Sequence, residues 1–210
     1  MPVMKLYEAV RSSASFRVRI ALNLKSLRYE SVLLDLRKGA HRSADYARLN
    51  PAQAVPTLVD GSHTLAQSMA ILEYLDEAYP RPPLLPAAAI ERARVRAISQ
   101  LISCDIHPLD NLRVLFWLEK ELRVDRAGID TWYHHWIHEG FGPLEQILGE
   151  PGTSAFCQGD APTMADCCLV PQVVNAQRFK VDLGSYPRIV RIHRTCMEID
   201  AFAKAHPDRQ

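Results

Sequence analysis

The chain has no excess of charge, no long apolar run and no paired-cysteine motif, and each absence removes a class of function. Lys and Arg together number 25 against 24 Asp and Glu, a formal net charge of +1. That balance supplies neither a basic surface for nucleic acid nor a polybasic patch for a membrane. No apolar stretch approaches the ~20 residues needed to span a bilayer. The opening Met-Pro-Val-Met-Lys-Leu-Tyr lacks the apolar core and cleavage site of a secretory signal, so a cytoplasmic location is expected. The five cysteines are Cys104, Cys157, Cys167, Cys168 and Cys196. An odd count, one adjacent pair and no Cys-x-x-Cys argue against a disulfide framework, a zinc site and a redox dithiol. Free thiols in a reducing compartment are the reading that remains. Internal repeats and low-complexity segments are also missing.

What is present is ordinary globular material: 210 residues, 48% hydrophobic and 23% charged, enough for one large domain or two small ones. Residues 1–80 alternate between strand and helix patterns. Strands are expected at Met4–Glu8, Tyr29–Leu36, Thr57–Val59 and His63–Leu65, and helices at Ser15–Lys25 and Ser68–Tyr79. A right-handed crossover joins the first two strands, and Asp60-Gly61 marks a hairpin turn between the last two. This βαβ then ββα order is that of a thioredoxin-like domain without its redox cysteines. Pro80-Arg-Pro-Pro-Leu-Leu-Pro86 holds four prolines in seven residues and cannot continue a helix. The domain boundary is placed there, with residues 81–89 as linker and 90–210 as an all-helical domain. The fold class is therefore α+β. In the second half helices are expected at Ile90–Leu122, interrupted near Pro108, and at Asp130–Gly149, Thr163–Phe179 and Pro187–Lys204. Thr163-Met-Ala-Asp166 reads as a capping box, a stability signal.

Chemistry gathers at three places in the first half. Arg11-Ser-Ser-Ala-Ser-Phe-Arg17 sits between a strand and a helix, where free N–H groups and a partial positive charge favour an anion. Ser12, Ser13 and Ser15 add hydroxyls, which suits a thiolate whose pKa is lowered by hydrogen bonds to the charged form. Position 14 is alanine, so the sulfur has to come from a ligand. Val55-Pro56 precedes a strand. A cis peptide there would turn residue 55's N–H and C=O toward a ligand, the alternative being an ordinary trans edge proline. Gln67-Ser68 opens a helix. Ser68 fits an N-cap whose N–H groups suit a carboxylate, or serves as a plain cap. Together the three describe a site for a peptide-like anion carrying a thiol.

With these residues in place, the chain resembles the zeta class of glutathione transferases, the class of the maleylacetoacetate and maleylpyruvate isomerases. The resemblance runs over essentially the whole chain. It is carried by Arg11 to Leu22, Asn50-Pro51, Val55-Pro56-Thr57-Leu58, Gln67-Ser68 and Ile71-Leu-Glu-Tyr-Leu75. In the second half Ile106-His-Pro-Leu-Asp-Asn-Leu-Arg-Val-Leu115, Thr163 to Asp166, Leu169-Val-Pro-Gln172 and Arg178-Phe-Lys-Val-Asp-Leu183 continue it. The resemblance implies the glutathione transferase fold, a homodimer and glutathione as cofactor. It implies that Ser12, Ser13, Ala14, Ser15, Phe16 and Arg17 surround the glutathione sulfur, with Ser12, Ser13 and Ser15 as the catalytic serines. Val55 pairs with the cysteinyl backbone, Gln67 and Ser68 hold the γ-glutamyl end, and His41 faces the glycyl end. His107, Asn111, Leu112 and Arg113 contribute from the helical half. Arg11, Arg113 and Arg178 are the expected clamps for the two carboxylates of a small dicarboxylate substrate. The implied reaction is cis–trans isomerisation of maleylacetoacetate in aromatic catabolism. Maleylpyruvate isomerisation, a general transferase or haloacid dehalogenase, and a non-catalytic glutathione-binding module are the alternatives. The family carries Ser-Ser-Cys where this chain has Ser12-Ser13-Ala14. Because the isomerisation uses the sulfur of glutathione, Ala14 does not exclude it, though it bears on side reactions that lean on the cysteine.

Two other signals are set aside. His134 and His138 share a helix face, but no carboxylate-rich third ligand accompanies them, so no metal site is assigned. Cys167-Cys168 within a helix reads as core packing.

Overall fold

A computed structural model describes residues 3–210. By packing, the chain divides into two units, Met1–Leu84 joined by Glu198–Gln210, and Leu85–Met197.

In the first unit β1 (Met4–Glu8) leads into α1 (Ser13–Leu24) and then β2 (Tyr29–Leu33). A short helix α2 (Ala44–Leu49) precedes β3 (Thr57–Asp60), β4 (His63–Ala66) and α3 (Ser68–Ala78). The sheet order is β2-β1-β3-β4, with β1 parallel to β2 and antiparallel to β3, and β3 antiparallel to β4. The Asp60-Gly61 turn forms as expected, with Gly61 at a φ of 58° that suits a residue lacking Cβ. The register sets Tyr7 against Thr57, and Thr57 against Ala66. Consequently the chain leaves β1, enters β3 and leaves β4 at one end of the sheet. Leu6 and Leu58 from the sheet, Val18, Ile20 and Leu22 from α1, and Ile71, Leu72 and Leu75 from α3 are fully buried and form the core.

The expected helix Pro187–Lys204 is in fact two, α8 (Pro187–Met197) and α9 (Asp200–Ala205). The stretch 198–210, read from sequence as part of the helical domain, packs with the first unit. The reason lies in α1, which is buried nearly all round. The sheet and α3 cannot cover every face of it, and α9, with Phe202 and Ala205 fully buried, covers the rest. Arg19 Nε donates to the Ala205 carbonyl at 2.9 Å and Asn23 Nδ2 to that of Ala201 at 3.0 Å. Arg19 also pairs with the buried Glu8 carboxylate and donates to the Val10 carbonyl.

The second unit holds α4 (Ala89–Gln100), α5 (Leu112–Lys120), α6 (Arg126–Ile147), α7 (Met164–Arg178) and α8. The long helix expected over Ile90–Leu122 is interrupted, as Pro108 demands. The change begins earlier, in a π-helical stretch Leu101–Ile106 that ends with His107 N donating to the Ile102 carbonyl. The capping box at the start of α7 is present. Asp166 accepts from the Thr163 N–H at 2.8 Å, the Thr163 hydroxyl at 2.9 Å and the Cys157 N–H at 2.9 Å.

Candidate active site

The turn after β1 builds the first element of the site. Ser12 N donates to the Ala9 carbonyl, and Ser12 Oγ caps α1 by accepting from the Ser15 N–H at 3.2 Å. The half-buried Ser12 hydroxyl keeps its own hydrogen for an outside acceptor at the positive end of α1. Ser13 is buried and Ala14 half-buried. Ser15 is a correction to the sequence reading: it is fully buried and its Oγ is the acceptor for the Ala9 N–H. It shapes the turn and does not face a ligand. Phe16 is likewise withdrawn, its ring packed edge-on against His206 and beneath the Arg19 guanidinium. Arg17 is 2% exposed, and its Nη1 donates to Ser68 Oγ at 3.2 Å. The contact ties the start of α3 to α1, a link the sequence does not announce.

The second element is the loop before β3. The Val55–Pro56 peptide is cis, the first of the two sequence alternatives. Ala54 O accepts from the Tyr46 hydroxyl at 2.6 Å and from Asn50 Nδ2 at 2.8 Å, and both donor groups also meet Thr57 Oγ1. The loop is thus fixed on either side of Val55. Among the described residues no hydrogen bond engages the Val55 N–H or C=O.

At the third element the N-cap is Gln67 and not Ser68, which is the first helical residue and is occupied by Arg17. Gln67 sits at φ 69° and ψ 115°, a backbone conformation that costs a non-glycine residue energy and clusters at functional sites. Its exposed side chain caps nothing in its own helix. His41 lies in a one-turn helix, Ala40–Arg42, with Nδ1 buried and unpartnered. Burial first, then the charge of Arg42, holds its pKa below the usual histidine value. Arg11 is exposed beside Ser12.

In the second unit the break in the helix gathers the remaining candidates. Asn111 caps α5 by accepting from the Arg113 N–H at 3.0 Å, and its Nδ2 lies 3.4 Å from His107 Nε2. Leu112 and Arg113 are exposed in the first turn of α5. Arg178, exposed at the end of α7, lays its guanidinium over Phe179, which stacks on Tyr133 at 3.7 Å. The sequence reading missed two buried polar residues here, Asp110 and Gln172, joined to one another. Both lie inside the stretches that carried the resemblance, and neither spacing nor periodicity marks them as partners. His134 and His138 are bonded to the Phe179 carbonyl and the Tyr186 hydroxyl respectively.

Comparison with known proteins identifies the family. Residues 2–77 match the family model for the glutathione S-transferase N-terminal domain. The maleylacetoacetate isomerase of Rhizobium meliloti is 49% identical over 97% of this chain and 96% of its own length. The chain belongs to the zeta class of the glutathione transferases. The holo structure of a maleyl pyruvate isomerase, a bacterial zeta-class transferase, superposes with a TM-score of 0.96 at 47% identity, covering 98% of each chain. The maleylacetoacetate isomerase of Methylobacterium extorquens AM1, solved with malonate and glutathione bound, gives 0.95 at 43% identity, covering 98% of this chain and 97% of its own. In this transferase the thioredoxin-like sheet carries no redox cysteine pair, which is not needed where the thiol belongs to a cofactor. Among the described residues no helix is long and apolar enough to cross a membrane.

Proposed function

We propose that this zeta-class transferase is a glutathione-dependent cis–trans isomerase converting maleylacetoacetate to fumarylacetoacetate in the catabolism of tyrosine and phenylalanine through homogentisate. The observation that carries the reading is the convergence of three ligand-facing groups at one end of the first unit's sheet. The Ser12 hydroxyl, the unspent backbone of Val55 and the helix start at Gln67 all lie where Tyr7, Thr57 and Ala66 align. A peptide with a thiol in its middle and a carboxylate at one end fits that spacing of donors. Maleylpyruvate is the second substrate, favoured by the 47% identity to a maleyl pyruvate isomerase.

When bound, glutathione would supply a nucleophilic thiolate for reversible addition to the conjugated cis double bond of the substrate. The chain's own residues do the rest. Ser12 donates its hydroxyl hydrogen toward the sulfur while the N-terminus of α1 adds positive potential, so the anion is favoured. Val55 fixes the middle of the peptide through main-chain hydrogen bonds, and Gln67 with the first turn of α3 holds the γ-glutamyl end. His41, its pKa held below the usual histidine value by burial and then by Arg42, serves the glycyl end as a hydrogen-bonding group. Arg11, Arg113 and Arg178 neutralise the carboxylates of the substrate, each offering a planar fork that matches them. His107 and Asn111 orient one another beside Arg113. The protein works as a cytoplasmic homodimer.

The test is an ultraviolet assay of both maleyl substrates with and without glutathione. Glutathione-dependent formation of the fumaryl isomer, with none consumed, is expected. Net consumption would instead make the protein a conjugating transferase or dehalogenase. Binding of glutathione without any turnover would make it a binding module.

A further inference from the structure

Asp110 and Gln172 form a buried pair that the reaction outlined above does not use. Asp110 is 4% exposed and Gln172 fully buried. Gln172 Nε2 donates to Asp110 Oδ2 at 3.4 Å, a single long bond. Asp110 Oδ1 and Gln172 Oε1 are both buried without a hydrogen-bond partner among the described residues. An ionised carboxylate so placed would keep its charge out of water with one weak donor to offset it. Two oxygen acceptors cannot bond one another unless a hydrogen lies between them.

We propose that Asp110 carries a proton on Oδ1 and donates it to Gln172 Oε1, closing a two-bond acid–amide pair, and that it thereby acts as a positioning residue for the helix start bearing Asn111 and Arg113. One proton satisfies both orphaned oxygens. Burial acts in the same direction, raising the Asp110 pKa to about 8. The titratable and charged groups that bear on the pair lie on α6, on α7 and on the segment itself. On α6, Tyr133 is fully buried and uncharged, its own pKa pushed up first by burial. On α7, Arg178 acts on the Tyr133 hydroxyl. On the segment itself, Arg113 is exposed and His107 meets Asn111.

The consequence follows from what the pair holds. The carbonyl of Leu109 accepts from Trp132 Nε1 at 2.9 Å, so residue 109 is pinned to α6 and residue 110 to α7. Asn111 follows at once as the N-cap of α5, and Arg113 is bonded to it. Loss of the proton sets two acceptors face to face and draws the carboxylate toward water, which shifts the start of α5. The positioning role rests on the proposed contacts of Asn111 and Arg113.

The experiment is an infrared and kinetic titration of the full-length protein and its Asp110 variants. Wild type at neutral pH is expected to show the C=O stretch of a neutral buried carboxylic acid, lost in Asp110→Asn and lost in wild type as pH rises through about 8. The wild-type titration requires no variant to fold. Asp110→Ala is expected to lower kcat/KM at all pH values, and Asp110→Asn, whose amide donates without titrating, to rescue it. The ratio of Asp110→Asn to wild-type kcat/KM is expected to rise about tenfold one pH unit above the midpoint. Absence of the acid band, or superimposable pH profiles, overturns the proposal. Should Asn111→Ala and Arg113→Ala leave the glutathione and substrate dependences unchanged while the band persists, it is the site reading that fails.

Discussion

At the scale of single residues, Ser12 has two duties that substitution can separate. It caps α1 through Ser15 N, and in the proposed function it presents a hydroxyl to the glutathione thiol. Ser12→Ala loses both, about 1 kcal/mol of stability from the cap and most of the turnover. Ser12→Asn keeps a capping oxygen and is expected to restore the melting temperature without restoring kcat. Gln67→Ala is expected to raise the KM for glutathione with kcat largely kept, and steady-state kinetics on the three variants check the division. Asp110 makes a prediction about stability that is independent of activity. Its carboxyl is raised in the folded state, so its stabilising contribution is full below the ordinary carboxylate range and is lost as pH rises toward about 8. Denaturant unfolding of wild type against Asp110→Asn is expected to show wild type losing ground over that interval. Some of this was legible in the residues: the Ser cluster, Val55-Pro56 and Gln67 lie where local turn chemistry puts them. The burial of Arg17 was not, because its partner Ser68 is 51 positions away. A rule for N-caps prefers serine to glutamine, yet Gln67 takes the position at positive φ.

At the scale of elements, the capping box at the head of α7 is the most exacting local device. Asp166 is fully buried and satisfies three N–H and O–H donors, two from Thr163 and one from the Cys157 backbone, with the Cys196 thiol donating more weakly at 3.9 Å. Asp166→Ala strands all three and is expected to cost about 3 kcal/mol or more, against about 1 for Thr163→Ala. Urea unfolding of the two variants measures the difference. Strand alternation and the Asp60-Gly61 turn made the order of the first unit readable. The break in the Ile90–Leu122 pattern was readable only at Pro108, because a π-type turn keeps apolar residues such as Ile102 and Ile106 buried through Leu101–Ile106 and so hides its own onset.

At the scale of the whole molecule, the sequence pattern divides the chain at its prolines, whereas the packing returns residues 198–210 to the first unit. No local signal announces that return, since α9 reads as the continuation of α8 and its partner α1 lies some 180 residues earlier. Truncation after Met197 is expected to uncover α1, lower the melting temperature and produce dye binding to exposed apolar surface, measurable by thermal shift. The tail also orders events during synthesis. The sheet and α1 emerge from the ribosome first, but the last cover of α1 is translated after every helix of the second unit. The first unit therefore waits, unfinished, while the second is made, and a chaperone that shields α1 during that interval has a defined surface to hold.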